Sequence, residues 1–313
     1  MFVTAASVAY GNNIVTDAMK SQQSPITSVN ALIDNLPGVS IQEGDTYGFD
    51  DWSTTISVRG FQNSLSEQQI GTTVDGIPNG NSNYGGGAKA NRYIDTANIE
   101  TVSVSQGTAD IASRSLEALG GTIDYVTSDP SAESRVRAQA VVGEFDAQRY
   151  YLRYDTGSFA GDTRAWFSIS RQEASDWVNG AAENERDHIA GKVVSNIGLA
   201  TVTGYLSYDD THEDNYQRLF SPEEFAANPN SDGLSKVWTG VPYVDQVFRE
   251  GWSTLRENLL GYVKADFEFN EGLNLQASLY YHDNEVFWAD FPRRYYFQRL
   301  WDVGLVVHSY FLS

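Results

Sequence analysis

The chain has 313 residues and carries 41 acidic against 21 basic side chains, which gives a formal net charge of -20. Such a polyanion repels nucleic-acid backbones, so we predict no nucleic-acid partner. The absence of cysteine excludes disulfides and thiolate metal sites, and no apolar run is long enough for a transmembrane helix. The 18 tyrosines are typical of the aromatic girdles of membrane β-barrels, although a Tyr-rich soluble β-protein is an alternative.

The first predicted element is a helix. Ser24 and Pro25 suit the N-cap and the first helical position, and Pro37-Gly38 ends the segment. Between them, four apolar residues at helical spacing would form one buried face. They are Val29, Leu32, Ile33 and Leu36.

Two alternating runs follow, at 54–61 and 71–80, and predict half-buried strands. The first ends at Arg59-Gly60. The second ends at Asp75-Gly76, a pair suited to the positive φ of a hairpin turn, so we predict a structural turn there. One helical turn is expected at 95–98, then strands at 99–105 and 122–127. We interpret Gly107, Gly120 and Gly121 as positions that need positive φ or a close backbone approach.

In their order and spacing, these segments resemble the plug domain of the TonB-dependent outer-membrane receptors, over about residues 25–130. The residues that carry the resemblance are Leu36-Pro37-Gly38-Val39-Ser40-Ile41, Ile56-Ser57-Val58-Arg59-Gly60, Val74-Asp75-Gly76-Ile77-Pro78, Ile99-Glu100-Thr101-Val102-Ser103-Val104, Gly107 and Gly120-Gly121-Thr122-Ile123-Asp124-Tyr125-Val126-Thr127. The rest of the chain is then similar to the first strands of the receptor's β-barrel.

Beyond residue 134 the sequence alternates apolar and polar residues in roughly ten-residue segments. They cover 135–142, 149–155, 164–170, 188–193, 201–208, 259–268 and 273–282. Strands with one face in lipid and one in the lumen show this pattern, but so do strands of a soluble sandwich. Short turns alternate with longer links, as in membrane barrels, and the short link at 143–148 is an exception.

The predicted fold class is therefore an α+β plug domain, 1–133, followed by antiparallel transmembrane β-barrel strands, 134–313. About seven or eight strands make an incomplete barrel, whereas the family has about 22. Open strand edges are not viable in lipid, so we expect an N-terminal fragment or a truncated product. The first residues do not resemble a secretory signal, and no copy of the TonB-interacting motif is evident.

The resemblance also implies ligand-binding residues in the plug. Arg59 is expected to contact an anionic or chelated ligand, with a structural ion pair to a carboxylate as the alternative. Further candidates lie on loops that by resemblance form the outward apices of the plug, although simple loop filling would also explain them. These candidates are Trp52, Phe61, Asn79, Asn81 and Tyr84.

Acidic clusters offer little chemistry. The segment 209–214 could supply oxygen ligands to Ca²⁺, but a solvated loop is the better interpretation, and we predict no metal site. The pairs Glu183/Glu185 and Glu223/Glu224 could be read as the two carboxylates of a glycosidase, but they lie on predicted loops without an apolar pocket. We predict no catalytic residue, no cofactor and no enzyme.

The function that the resemblance implies is active uptake of a scarce, bulky nutrient across the outer membrane. A ferric siderophore is the family's default ligand, followed by vitamin B12 and oligosaccharides. The expected partners are the TonB energy-transducing complex, outer-membrane lipid and the nutrient. Two alternatives stay open: a truncated remnant that transports nothing, and a soluble β-rich enzyme or carbohydrate-binding module.

Overall fold

The computed structural model describes most of the chain. The described ranges are 12–45, 47–79, 89–110, 113–115, 117–175, 183–214, 221–230, 233–270, 273–290 and 294–311. They contain an N-terminal unit with two small sheets and a C-terminal sheet of eight strands.

The N-terminal unit contains eight short strands. They are β1 (Asn12–Val15), β2 (Val39–Gln42), β3 (Thr55–Val58), β4 (Phe61–Asn63), β5 (Gly71–Val74), β6 (Ile77–Pro78), β7 (Ile99–Gln106) and β8 (Gly121–Thr127). One sheet has the order β1-β7-β8-β5-β6 and the other the order β2-β3-β4. The β5–β8 pair is parallel, whereas β5–β6 is the hairpin that the Asp75-Gly76 turn predicted.

Helices are short in the described ranges. The two α-helices are α1 (Asp17–Lys20) and α2 (Pro222–Ala227), and 3₁₀ turns cover Asn30–Ile33, Ala90–Arg92, Thr96–Asn98, Asp245–Val247 and Arg249–Gly251. The turn at Thr96–Asn98 confirms the helical turn expected at 95–98. Asp95 is its N-cap, because its carboxylate accepts a hydrogen bond from the Ala97 backbone N–H at 2.8 Å.

The helix predicted from Ser24 to Leu36 is wrong, because this segment contains a single 3₁₀ turn. Side chains compete for the backbone there. The Ser28 hydroxyl accepts from the Ala31 N–H at 3.1 Å, and the Asp34 carboxylate accepts from the Ile41 N–H at 2.8 Å. The predicted apolar face is nevertheless buried, because burial requires only that its side chains converge. Its members are Val29, Leu32, Ile33 and Leu36.

The C-terminal sheet is antiparallel throughout, and each strand pairs with the next along the chain. Its strands are β9 (Ser134–Val142), β10 (Gln148–Thr156), β11 (Thr163–Ala174), β12 (Asn184–Ile197), β13 (Ala200–Asp214), β14 (Ser253–Asn270), β15 (Leu273–Asp290) and β16 (Arg294–Phe311). Among the described strands, β9 and β16 form the two edges and the sheet does not close. This confirms the fold class of plug plus incomplete barrel.

The exposed outer face of this sheet is apolar and its buried inner face is polar, the reverse of a soluble protein. On β10, Tyr150, Leu152 and Tyr154 are 53%, 48% and 45% exposed, whereas Arg149 and Arg153 are buried. The outward apolar residues of the following strands are exposed as well; examples are Phe167, Ile169, Ile189, Leu206, Val263, Leu279 and Leu305. A soluble sandwich would bury these side chains against a second sheet, and none of the described strands covers this face. An apolar exterior around a polar interior is typical of a barrel in lipid.

The ends of the strands differ in their connections. The strand ends that are joined in sequence by links 157–162, 198–199 and 271–272 lie on one side of the sheet, which we name the short-turn end. The strand ends joined by links 143–147, 175–183, 215–252 and 291–293 lie on the other side, which we name the long-loop end. Two of the four links at the long-loop end are short, so the alternation of lengths is incomplete.

The N-terminal unit packs against the inner face of the sheet through aromatic side chains. Trp166, Tyr205 and Tyr262 belong to the same buried cluster as Ile94 and Val102 of the unit. The rings of Tyr205 and Tyr262 stack with centroids 5.3 Å apart. Burial of one such side chain contributes roughly 1.5 to 3 kcal/mol, so this patch is a main source of adhesion between the two parts.

Candidate functional site at the inner face of the sheet

The Asp75 carboxylate joins three parts of the chain. Asp75 and Gly76 adopt φ values of 52° and 77° in the β5–β6 turn. The carboxylate accepts hydrogen bonds from the Thr127 N–H at 2.8 Å, the Thr127 hydroxyl at 2.6 Å and the Tyr262 hydroxyl at 2.6 Å. The turn is therefore fixed both to the last strand of the N-terminal unit and to β14 of the sheet.

A second anchor lies at Asp95, which is 3% exposed. Its two carboxylate oxygens accept from the Arg149 guanidinium at 2.6 Å and from the Ser170 hydroxyl at 2.7 Å. Burial opposes the charge of Asp95, but the nearby Arg149 guanidinium, together with His188 and the Arg186 guanidinium, outweighs it and holds the pKa of Asp95 below its ordinary value. This carboxylate is therefore a charged, buried contact with β10 and β11.

Asn98 continues this anchor one helical turn further along the chain. Its side-chain N–H donates to the Ser168 hydroxyl at 2.8 Å, and its carbonyl oxygen accepts from the Tyr151 hydroxyl at 2.7 Å and from Arg153 at 3.3 Å. Asn98 is completely buried, so these contacts replace its hydration. The segment 95–98 is thus held by side chains of two neighbouring strands.

A buried charge cluster lies nearer the long-loop end. Asp51 pairs with Arg92, and Lys89 donates to the Asp51 backbone carbonyl at 2.9 Å. On the sheet, Arg256 pairs with Glu213 and lies over the Trp52 ring at 5.8 Å. Burial opposes the charge of Asp51, but Arg92 and Lys89 outweigh it and lower the pKa of Asp51. The cluster thus joins the loop around residue 51 to β13 and β14.

Comparisons with known proteins agree with this geometry. Residues 5–122 match the family model of the TonB-dependent Receptor Plug Domain. This part of the chain is a TonB-dependent receptor plug. The matched family describes a receptor plug and not an enzyme class. A comparison with curated protein sequences gives no match.

Solved structures of receptors share the fold of plug and barrel strands. The ferripyoverdine receptor of the outer membrane of Pseudomonas aeruginosa superposes with a TM-score of 0.72 at 16% identity, over 99% of this chain and 40% of that chain. The ferric yersiniabactin uptake receptor FyuA of Yersinia pestis gives 0.71 at 15%, over 98% and 46%. The siderophore receptor PiuA of Acinetobacter baumannii gives 0.63 at 14%, over 91% and 38%. The chain therefore spans less than half the length of each of these proteins.

The predicted ligand-binding residues do not converge in the described part of the plug. Trp52 precedes β3 and Arg59 follows it, so they lie at opposite ends of this strand. Arg59 is exposed with a φ of 50°, and its Nε–H donates to the side-chain amide oxygen Oε1 of Gln106 at 3.0 Å. Phe61 is half-buried next to Gly120, and Asn79 is buried after β6. Asn81 and Tyr84 lie outside the described residues.

The remaining predicted glycines lie where β7 and β8 end and begin. The Gly107 N–H donates to the Gly120 carbonyl at 2.9 Å. Gly121 has a φ of 128°, and a Cβ atom there would lie 2.0 Å from the Ser105 carbonyl oxygen. A side chain at this position would therefore separate the paired strands.

Ser170, His188 and Asp209 occupy one row across β11, β12 and β13, a combination that suggests a hydrolytic triad. The geometry does not support one. His188 Nδ1 lies 3.0 Å from Asp209, but the Ser170 hydroxyl donates to Asp95 instead of to the imidazole. The row instead positions the inner face of the sheet against the plug, an arrangement that sequence order alone did not reveal.

The interpretation of the acidic segment 209–214 as a solvated loop is wrong, because the segment lies on β13. Successive side chains there point to opposite faces, so Asp209 and Glu213 face inward and Asp210 faces outward. In the described part of the chain, no group of three or more His, Asp or Glu side chains is placed to hold a metal ion. Glu223 and Glu224 lie in the first turn of α2, where Glu224 completes a capping box with Ser221.

None of the described helices combines enough length with enough apolar character to cross a lipid bilayer.

Proposed function

We propose that the chain forms the plug, 1–133, and the first barrel strands, 134–313, of an outer-membrane receptor that imports a ferric siderophore with energy from TonB. The observation that carries this proposal is the sheet whose polar inner face binds the plug and whose outer face is apolar. A bilayer would cover the apolar outer face, and the plug supplies hydrogen-bond and charge partners to the polar inner face.

The long-loop end is proposed to face the exterior of the cell. Membrane barrels of this kind have short periplasmic turns and longer outer loops. In this orientation the loop around Trp52 and the link 215–252 lie on the side where a ligand arrives. The charge cluster of Asp51, Arg92 and Arg256 connects the loop around Trp52 to the barrel wall.

The ligand class is supported by the similar structures, which include receptors for ferripyoverdine and ferric yersiniabactin. Transport requires that the plug change its position or shape within the barrel. Such a change must break buried contacts such as Asp95–Arg149 and Asp75–Tyr262, which are costly to leave unpaired. An external source of work is therefore needed, and TonB would supply it as a shift in the population of plug states.

Uptake of radioiron tests this function. The full-length gene that contains this sequence is expressed in iron-starved cells that lack their own siderophore receptors, with and without TonB. We expect the protein in the outer-membrane fraction and TonB-dependent uptake of at least one ferric siderophore. Recovery of a folded protein from the soluble fraction, or equal uptake in cells without TonB, would contradict the proposal.

A further inference from the structure

The barrel strands hold the plug through contacts of different kinds. On β10 to β12, which we name the anchor side, charged side chains of the inner face bind the plug. Arg149 pairs with Asp95 at 2.6 Å, and the Arg186 guanidinium donates to the Ile94 carbonyl at 3.1 Å. Arg149 and Asp95 are both buried. Removing one partner of such a pair leaves the other charge buried and unpaired, which is strongly destabilising.

The junction between plug and barrel is fixed to the same side. The Trp166 indole N–H donates to the Ser128 carbonyl at 2.8 Å, and the Arg153 guanidinium donates to the Ser128 hydroxyl at 2.6 Å. The Lys192 ammonium donates to the Thr127 carbonyl at 2.9 Å. The chain therefore passes from the plug to β9 along a segment that the anchor side already binds.

The contacts of β14 and β15, which we name the release side, are fewer. Among the described residues, two hydrogen bonds join these strands to the plug, and each uses a tyrosine hydroxyl. Tyr262 donates to the Asp75 carboxylate at 2.6 Å, and Tyr93 of the plug donates to the Asn284 side-chain carbonyl at 2.9 Å. A hydroxyl that loses such a partner can be hydrated without leaving a charge unpaired.

Other contacts do not remove this contrast. Apolar packing occurs on both sides, because Trp166 of β11 and Tyr262 of β14 belong to one buried cluster. Arg256 of β14 lies over the Trp52 ring at 5.8 Å, but its ion pair is with Glu213 of the neighbouring strand. In the described part of the chain, the plug therefore forms its ion pairs to the barrel with the anchor side and not with the release side.

The release side also carries buried polar atoms that make no well-aligned hydrogen bond. They include the Asn258 carbonyl oxygen, the Ser278 hydroxyl and both ring nitrogens of His282. Among the described inward side chains of the anchor side, one nitrogen each of Arg164 and His188 is in this state. A buried polar atom without a partner destabilises the packed plug, and water that reaches it on opening removes this cost.

We propose that the plug separates first from β14 and β15 and last from β10 to β12. The anchor side combines buried ion pairs with a fixed junction, whereas the release side has two hydroxyl contacts and polar atoms that gain hydration. The order of separation follows from these contacts alone. For the proposed receptor it places the first opening beside β14 and β15, a consequence that rests on the proposed function.

Thiol labelling of the purified full-length receptor tests this order, and residues 1–313 contain no cysteine. Asn284→Cys on β15 and Ser168→Cys on β11 are matched reporters, because both residues are buried and each substitution removes one hydrogen bond to the plug. Iodoacetamide reacts with each variant in detergent, at urea concentrations below the unfolding transition. The receptor without an introduced cysteine corrects for thiols elsewhere. We expect Asn284→Cys to be labelled about ten-fold faster, because local opening limits the reaction.

A second measurement excludes an effect of the reporter substitutions themselves. Tyr262→Phe removes the hydrogen bond to Asp75, so it should speed the labelling of Asn284→Cys about five-fold and leave that of Ser168→Cys unchanged. Equal labelling of the two reporters, or faster labelling of Ser168→Cys, would overturn the proposal. An equal response of both reporters to Tyr262→Phe would overturn it too. The labelling needs neither a ligand nor TonB, so this inference and the proposed uptake can fail independently.

Discussion

Asp75 shows how one side chain can serve two roles. As a turn residue it is legible in the sequence, because Asp-Gly is a local signal. As a bridge it is not, since its hydrogen-bond partners Thr127 and Tyr262 lie 52 and 187 residues away. Nothing in a short window of sequence reveals which of several tyrosines will point inward at this position. The hairpin could therefore be predicted, and its connection to the barrel wall could not.

The Asp75→Asn variant separates these roles. Asparagine tolerates the left-handed turn, but its amide N–H cannot accept hydrogen bonds as the carboxylate does. We expect the free energy of unfolding to fall by about 1 to 3 kcal/mol, measured by urea titration in detergent. Tyr262→Phe removes one of the three donors and should cost less. Equal midpoints for Asp75→Asn and the wild type would refute the bridging role.

Glu43 predicts how plug stability depends on pH. Burial raises its pKa from 4.5 to about 7, a hydrogen bond from Ser28 opposes the shift, and Asp45 and Asp34 add to it. Between these values the folded plug keeps a proton that the unfolded chain has lost. The free energy of unfolding should therefore fall as pH rises through this window and level off above it.

The Glu43→Gln variant tests this dependence, because glutamine stays uncharged at every pH. At about pH 8 it should unfold with a free energy about 2 to 3 kcal/mol above the wild type, and the difference should vanish near pH 4. Ser28→Ala removes the hydrogen bond that lowers the pKa, so its transition should move to higher pH. Parallel curves for Glu43→Gln and the wild type would contradict the assignment.

Among the secondary-structure elements, the strands were predicted best, from their alternation of apolar and polar residues. It predicted β7 and β8 almost to their ends and each barrel strand through residue 282, because one face of every strand meets a different medium from the other. Strands β14 and β15 extend for 18 residues, further than their alternation indicated, and no alternating segment predicted β16. The helix predicted before residue 36 is wrong although its apolar residues have helical spacing. Side chains in this segment hydrogen-bond to backbone N–H groups and so compete with helix formation.

A buried ion pair between Asp95 and Arg149 joins the segment 95–98 to the barrel strands. Arg149→Gln leaves the Asp95 carboxylate buried with one cation fewer, which should cost about 3 to 5 kcal/mol of unfolding free energy. Adding Asp95→Asn should recover part of that loss, because no unpaired charge then remains. Arg171→Gln breaks exposed ion pairs on the outer face of β11 and should cost about 1 kcal/mol or less. Additive losses in the double variant, measured by urea titration, would exclude a coupled pair.

The C-terminal sheet has an apolar outer face and a polar inner face, the reverse of a soluble protein. A single charged substitution on the outer face can therefore show whether that face lies in lipid or in water. Leu206 is 57% exposed in the middle of β13, and Val237 is 64% exposed in the link 215–252. In water both sites would accept arginine at little cost. In a bilayer, Leu206→Arg should cost about 2 to 4 kcal/mol, whereas Val237→Arg should cost almost nothing because the link lies outside lipid.

Heat-modifiable electrophoretic mobility of the outer-membrane fraction measures this difference. We expect a smaller folded fraction for Leu206→Arg and wild-type behaviour for Val237→Arg. A Leu206→Gln variant is the control for lost apolar area, since it removes the leucine without adding a charge, and it should lie between them. If both arginine variants fold equally well, the apolar belt does not face hydrocarbon, and the exposed side chains of β10 to β16 must be covered in some other way.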